Sequence, residues 1–273
     1  MDQRRLTSEA DWDLRYRGPV PSGSWTPSDY NSRAIEHGLA RILSRARPAS
    51  ILEVGCGNSS WLPYLAAKCG ATATGLDFSS IGCEQARSRL LAANVRGRVF
   101  CRDIFCTSLD DIGGPFDFVY SLGFVEHFTD LGDVVKRLAS FVAPGGWLFT
   151  EVPNLRSIHG LLSKLYQPAV LAKHVVLSVE DLLLAHRAAG LEQTCGGRLG
   201  LFSMNVVAWG IEPRFPALDP VLRRIAIWSV RQSDRILNRV GGFDSGPAWG
   251  APFLYAAGCR PGTKRSRWET SND

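Results

Sequence analysis

The sequence predicts an α/β protein with a mostly parallel sheet and helices on both faces, and three observations carry that expectation. From Ser50 onward short apolar runs alternate with amphipathic helical patterns. The first run, Ile51-Leu-Glu-Val54, ends in Gly55-Cys-Gly57 and then a helix start, and acids, Asp77 and Asp103, close the next two runs.

Residues 1–48 are rich in charge, proline and aromatics, among them Trp12, Tyr16, Trp25 and Tyr30. A helical pattern over 32–45 places Ile35, Leu39, Ile42 and Leu43 on one face, and Pro48 stops it. After the glycine turn, Ser59 or Ser60 can cap a helix over 60–68, with Pro63 in a first turn where no internal hydrogen bond is lost. Strand-like runs at 71–76, 97–101 and 116–121 flank a helix at 80–93. A helix over 131–141, a turn at Pro144-Gly145-Gly146 and a strand over 147–152 come next. A helix at 155–166 follows, then one at 179–189 capped by Ser178 with Asp181 at a capping-box offset, and a strand at 190–194.

The connection over 201–251 is long and dominated by a helical pattern at 218–240. Arg224, Arg231, Arg235 and Arg239 fall on one flank of it, and Ile225, Ser229, Ile236 and Val240 on another. Such a helix can lie on a membrane, but packing as part of a lid is the simpler expectation. The expected organisation is therefore an N-terminal cover (1–48), a ligand-binding core (49–200), a helical insertion serving as a substrate lid (201–251), a last core strand (252–261) and a disordered polar tail (262–273).

At 273 residues and 45% hydrophobic, the chain suits one elaborated domain. Its net charge of +5, from 31 basic and 26 acidic residues, gives little support to nucleic-acid binding. Seven scattered cysteines, none in a C-x-x-C pair, argue against a disulfide framework or a zinc site and fit a reducing cytoplasm. Nothing approaches the roughly 20 apolar residues of a membrane span, so no stable membrane insertion is expected. The oligomeric state is left open.

Gly55 and Gly57 allow a ligand close to the main chain. A dinucleotide fingerprint would carry a third glycine, absent here, and Glu53 would repel a pyrophosphate while attracting an ammonium or sulfonium. Asp77 can accept both hydroxyls of a ribose, and Asp103 an adenine amino group, with Phe78 or Ile104 against the base. The fourth run ends near the same crevice at Ser121-Leu-Gly-Phe-Val-Glu126-His127.

Together, Glu53-Val-Gly-Cys-Gly57, Gly75-Leu-Asp77, Arg102-Asp103-Ile104, Phe116–Ser121, Glu126-His127 and Pro144-Gly-Gly146 resemble the S-adenosylmethionine-dependent methyltransferases of the Rossmann-like class. The resemblance covers about residues 50–155. It implies a seven-stranded sheet with the last strand antiparallel and S-adenosylmethionine as cofactor. In that setting Gly55, Cys56 and Gly57 lie along the methionine portion, Asp77 takes the ribose, Asp103 the adenine, and Glu53 organises the turn or faces the ammonium; Ser121 joins the cofactor set. Ser59 departs from a plain G-x-G-x-G.

His127 is the candidate general base, with a structural or cofactor-side role as the equal alternative. His159, His174 and Tyr166 lie on the acceptor side, where a surface or capping role is the simpler reading for each. No metal is expected. The aromatic N-terminus and long insertion suit a small-molecule methyl acceptor, oxygen before nitrogen before carbon. Two other readings stand beside this one: a nicotinamide-dependent oxidoreductase, and a non-catalytic binding protein using the arginine-rich helix.

Overall fold

A computed structural model describes residues 5–18, 25–203, 219–244 and 246–262. The strands are β1 (Ser50–Val54), β2 (Thr72–Asp77), β3 (Gly97–Cys101), β4 (Phe116–Leu122), β5 (Val142–Pro153), β6 (Glu192–Leu199) and β7 (Phe253–Cys259). The helices are α1 (Glu9–Tyr16), α2 (Tyr30–Ala46), α3 (Trp61–Cys69), α4 (Ser80–Ala92), α5 (Leu109–Ile112), α6 (Leu131–Ser140), α7 (Ile158–Tyr166), α8 (Pro168–Leu171), α9 (Val179–Ala188) and α10 (Asp219–Val240). The seven strands form one sheet in the order β3-β2-β1-β4-β5-β7-β6, with β7 antiparallel to both neighbours.

Successive residues of a strand point to opposite faces, and the central strands are apolar at both. Ile51, Phe118 and Phe149 pack with Leu39, Ile42, Leu62 and Leu65 on one side. Leu52, Val119 and Leu148 pack with Val134, Leu138 and Leu182 on the other. Neither layer is spared, which is why these runs read as continuously hydrophobic.

Four expectations change. The segment 1–48 is not one cover: α2, begun by Asp29 capping Ser32, buries Ala34, Leu39 and Ile42 in the sheet core, and only the part before it covers the crevice. Within that part α1 was not foreseen, although Ser8 and Asp11 form a full capping box. Pro144-Gly145-Gly146 is not a separate turn but a bulge inside β5, because Phe116 pairs with Val142 and Phe118 with Trp147. Finally, α10 docks on α2, where Asp234 accepts the Tyr30 amide at 2.6 Å and Arg33 donates to Asn238 at 3.1 Å.

Because α10 is spent on α2, none of the described residues between 219 and 244 lines a cavity of the site below. Arg224, Arg235 and Arg239 are exposed; the side chains of Ser229 and Arg231, the stretch 204–218 and the tail beyond 262 lie outside the described residues. Among the described residues no helix is long and apolar enough to cross a membrane, and all seven cysteines are free.

Candidate active site

Sheet order reverses between β1 and β4, the place where an open α/β sheet leaves a crevice at its carboxyl ends. Gly55 lines this crevice with φ +73°, and a Cβ there would lie 2.4 Å from the Phe124 ring, so glycine is required. The turn's amides are not offered to a ligand: Gly55 N and Cys56 N donate to Leu76 O at 2.8 and 3.3 Å, and Gly57 N donates to Asp77 Oδ2 at 2.8 Å. They brace β1 on β2 instead.

The expected cofactor residues divide into two groups. Gly55, Asp77, Phe78 and Ile104 line the crevice. Cys56 does not, because its sulfur turns down toward Gly75. Ser121 does not either, since it is fully buried below the floor and leaves Leu122 and Gly123 at the surface.

Glu53 corrects the charge argument made from sequence. It is buried beneath the turn, accepts the Tyr120 hydroxyl at 2.9 Å, and burial pushes its carboxyl up to about 8. Burial thus favours its protonated form, and a cation seated over the turn would favour the ionised one.

The N-terminal segment fills the crevice. Arg5 Nη2 donates to Asp103 Oδ1 at 3.0 Å while its guanidinium carbon lies 4.4 Å from the Phe78 ring centre and 5.3 Å from that of Phe128. Its Nε has no partner. Leu6 N donates to the His127 carbonyl at 2.8 Å, Ser79 Oγ donates to Asp13 at 2.5 Å, and the Tyr16 hydroxyl stands 2.1 Å from where a Gly57 Cβ would be. Only about 70 Å³ remains beside Asp77, well below an ordinary ligand pocket.

A second cavity of about 680 Å³ adjoins it over β4 and β5. Among the described residues its walls come from α1, the 167–174 segment and the ends of β5 and β7, and none from the insertion. Trp12, Gly123 and His127 line both cavities, so His127 stands at their junction. Its Nδ1 lies 2.8 Å from the Lys173 carbonyl, which can only accept; the proton is therefore on Nδ1 and Nε2 carries the lone pair. Burial, then the neighbouring His174, lowers its pKa to about 4.

His174 joins the site, contrary to its surface reading. Its ring centre is 4.5 Å from that of His127, and its Nδ1 donates to the Val170 carbonyl at 2.7 Å. His159 is also not at the surface but fully buried against Ser157, away from both cavities. Glu151 was not singled out in the sequence at all; it sits in the second cavity's wall beside Glu126.

These buried groups set the pH dependence of stability. Burial raises Glu53 and Glu126 to about 8 and raises Glu151 as well, while His127 and His186 fall to about 4. A raised carboxyl means the folded chain holds protons the unfolded chain has lost, so its contribution declines as pH rises from the model-peptide value toward 8. A lowered histidine costs stability only as pH falls below about 6.5. Above about pH 6.5 only the carboxyls among these groups still change their proton balance, so denaturant midpoints should decline from pH 6.5 to 8; a midpoint that climbs steadily over that range would contradict these environments.

The Methyltransferase domain family matches residues 28–195. A ubiquinone biosynthesis O-methyltransferase of Chromobacterium violaceum is 29% identical over 133 residues, 47% of this chain and 52% of that protein. A malonyl-[acyl-carrier protein] O-methyltransferase of Pseudescherichia vulneris is 32% identical over 185 residues, 67% of this chain and 64% of the relative. The chain thus spans about half the length of several curated relatives it matches. Among solved structures, an S-adenosylmethionine-dependent methyltransferase of Thermotoga maritima aligns with TM-score 0.52 at 18% identity, over 84% of this chain and 91% of that one. The [4+2]-cyclase SpnF aligns with TM-score 0.58 at 15% identity, over 95% and 97%.

Proposed function

The chain belongs to the Methyltransferase domain family, and from that membership we propose that it transfers a methyl group from S-adenosylmethionine to a small-molecule acceptor, at oxygen, in the cytoplasm. One observation carries the reading. His127, with a free Nε2 lone pair, stands between a crevice bearing Asp77, Phe78 and Ile104 and a cavity large enough for a metabolite. Methyl transfer is an in-line displacement, so alignment and exclusion of water are most of what the protein must supply. Fold alone would not decide it, since the same architecture serves a cyclase.

The site suits the cofactor. Asp77 can accept ribose hydroxyls on the lone pairs its two backbone bonds leave free. Phe78 and Ile104 offer faces to an adenine, and Asp103 lies at its edge. When bound, the cofactor supplies the sulfonium methyl; the chain binds, orients and keeps the pair dry. Calorimetry with S-adenosylmethionine and with NAD tests this, because the nicotinamide reading requires NAD to bind in preference.

Arg5 holds the seat assigned to the adenine, stacked on Phe78 and bonded to Asp103. Cofactor binding then has to lift the N-terminal strap. A cation–π contact and a partly exposed ion pair together hold it by about 1–2 kcal/mol. Arg5→Ala should accordingly bind S-adenosylmethionine about 5- to 30-fold more tightly, mainly through faster association in stopped flow. Weaker binding would show instead that Arg5 grips the bound cofactor.

A further inference from the structure

The second cavity gathers a cluster of hydrogen-bond acceptors on one side, from Glu126, Glu151, His127 and His174. Glu126 Oε2 and Glu151 Oε1 are buried with no partner, and burial of an unpaired carboxyl oxygen is costly unless a guest satisfies the group. His127 and His174 each spend the Nδ1 proton on a backbone carbonyl, leaving two Nε2 lone pairs in the same walls. Even with a proton on each carboxyl, two O–H donors would face two imidazole nitrogens and two further carboxyl oxygens. Apolar faces come from Trp12, Leu14, Val170 and Phe253, and Trp12 has already donated its N–H to Thr7 at 3.0 Å; the rest of the polar lining is Thr7, Arg15, Gln167 and the Lys173–Asp11 ion pair at 2.7 Å.

Resting on the methyl-transfer reading above, we propose that this cavity receives a polyhydroxylated acceptor of the carbohydrate class, with Glu126 and Glu151 as specificity-determining residues that accept hydrogen bonds from hydroxyls flanking the one methylated. The acceptor groups come from the turn at 125–127 after β4, from the end of β5 and from His174, so the matching donors must be spread over several atoms. A polyol spreads them in this way. A single amine nitrogen does not, and a catechol offers two hydroxyls, one of which is consumed. In the transfer the reacting hydroxyl oxygen forms a bond to the methyl carbon, the carbon–sulfur bond breaks with its electron pair staying on sulfur, and the hydroxyl proton passes to His127 Nε2.

Full-length protein incubated with methyl-labelled S-adenosylmethionine and a metabolite extract should place the label in an O-methyl ether of a polyol, identified by mass spectrometry after acid hydrolysis. Label in a phenol ether, a carboxyl ester or an amine, or in no product, overturns the proposal. Failure to bind S-adenosylmethionine in calorimetry would instead remove the methyl-transfer reading itself. With the polyol acceptor in hand, Glu151→Gln and Glu126→Gln should each lower kcat/KM about tenfold or more by raising KM, with cofactor affinity unchanged and melting temperatures confirming the fold. Unchanged KM in both variants overturns the assignment. So does loss of transfer on adding a chelator, because a divalent ion shared by Glu126, His127 and His174, whose ligand atoms lie within 4.8 Å of one another, would take the same lone pairs.

Discussion

Replacing Asp77 with alanine is expected to weaken S-adenosylmethionine binding by about a hundredfold or more. Hydrogen bonds to a charged group are worth about 1.5–3 kcal/mol each, and a ribose would make two with this carboxylate. The loss has a second source in this chain. Asp77 Oδ2 accepts the Gly57 amide at 2.8 Å and Oδ1 the Ser79 amide at 2.7 Å, so the same side chain fixes the glycine turn and the start of α4. Asp77→Asn keeps half of the structural role: its amide oxygen can retain the Gly57 bond, while its NH2 can accept neither from the Ser79 amide nor from a ribose hydroxyl. Both variants should lose cofactor affinity, and the asparagine variant should lose less melting temperature than the alanine variant. Calorimetric titration giving the wild-type Kd for both would remove Asp77 from the cofactor site.

Local signals in the chain were readable where one stretch of residues decides the outcome. Ser178 and Asp181 announced α9, and the two glycines after β1 announced the turn, because capping and positive φ are set within a few residues. The same capping signature at Ser8 and Asp11 was obscured, since α1 is only 8 residues long and none of its residues is buried. Pro144-Gly-Gly146 was legible as an irregularity but not as a bulge, because that depends on pairing with β4. What stayed hidden is long-range. Arg5 meets Asp103 across 98 positions, Tyr120 meets Glu53 across 67, and the 46 positions between His127 and the Lys173 carbonyl decide the imidazole tautomer. The identity of a residue declares what chemistry it can do, whereas its charge state and partner depend on which distant element buries it.

His127→Ala should reduce kcat by about 10²–10³ while changing cofactor Kd less than about threefold, in line with removal of a general base. A neutral imidazole whose pKa is lowered to about 4 is a poor base toward a resting alcohol. It is adequate here because the hydroxyl becomes strongly acidic only as its oxygen bonds to the methyl carbon, so the proton moves late. The sign of the pH effect follows from the same value. The base works when unprotonated, so kcat should hold as pH falls below the ordinary histidine range of about 6.5 and decline only toward 4. Burial contributes most to that depression and His174 next, so His174→Ala should shift the acid limb to higher pH without abolishing turnover. A limb that stays put in His174→Ala, together with equal losses of kcat and cofactor affinity in His127→Ala, would move His127 to the cofactor side. The proton would then have to leave by another route, through Glu126, whose carboxyl lies 4.0 Å from the same imidazole.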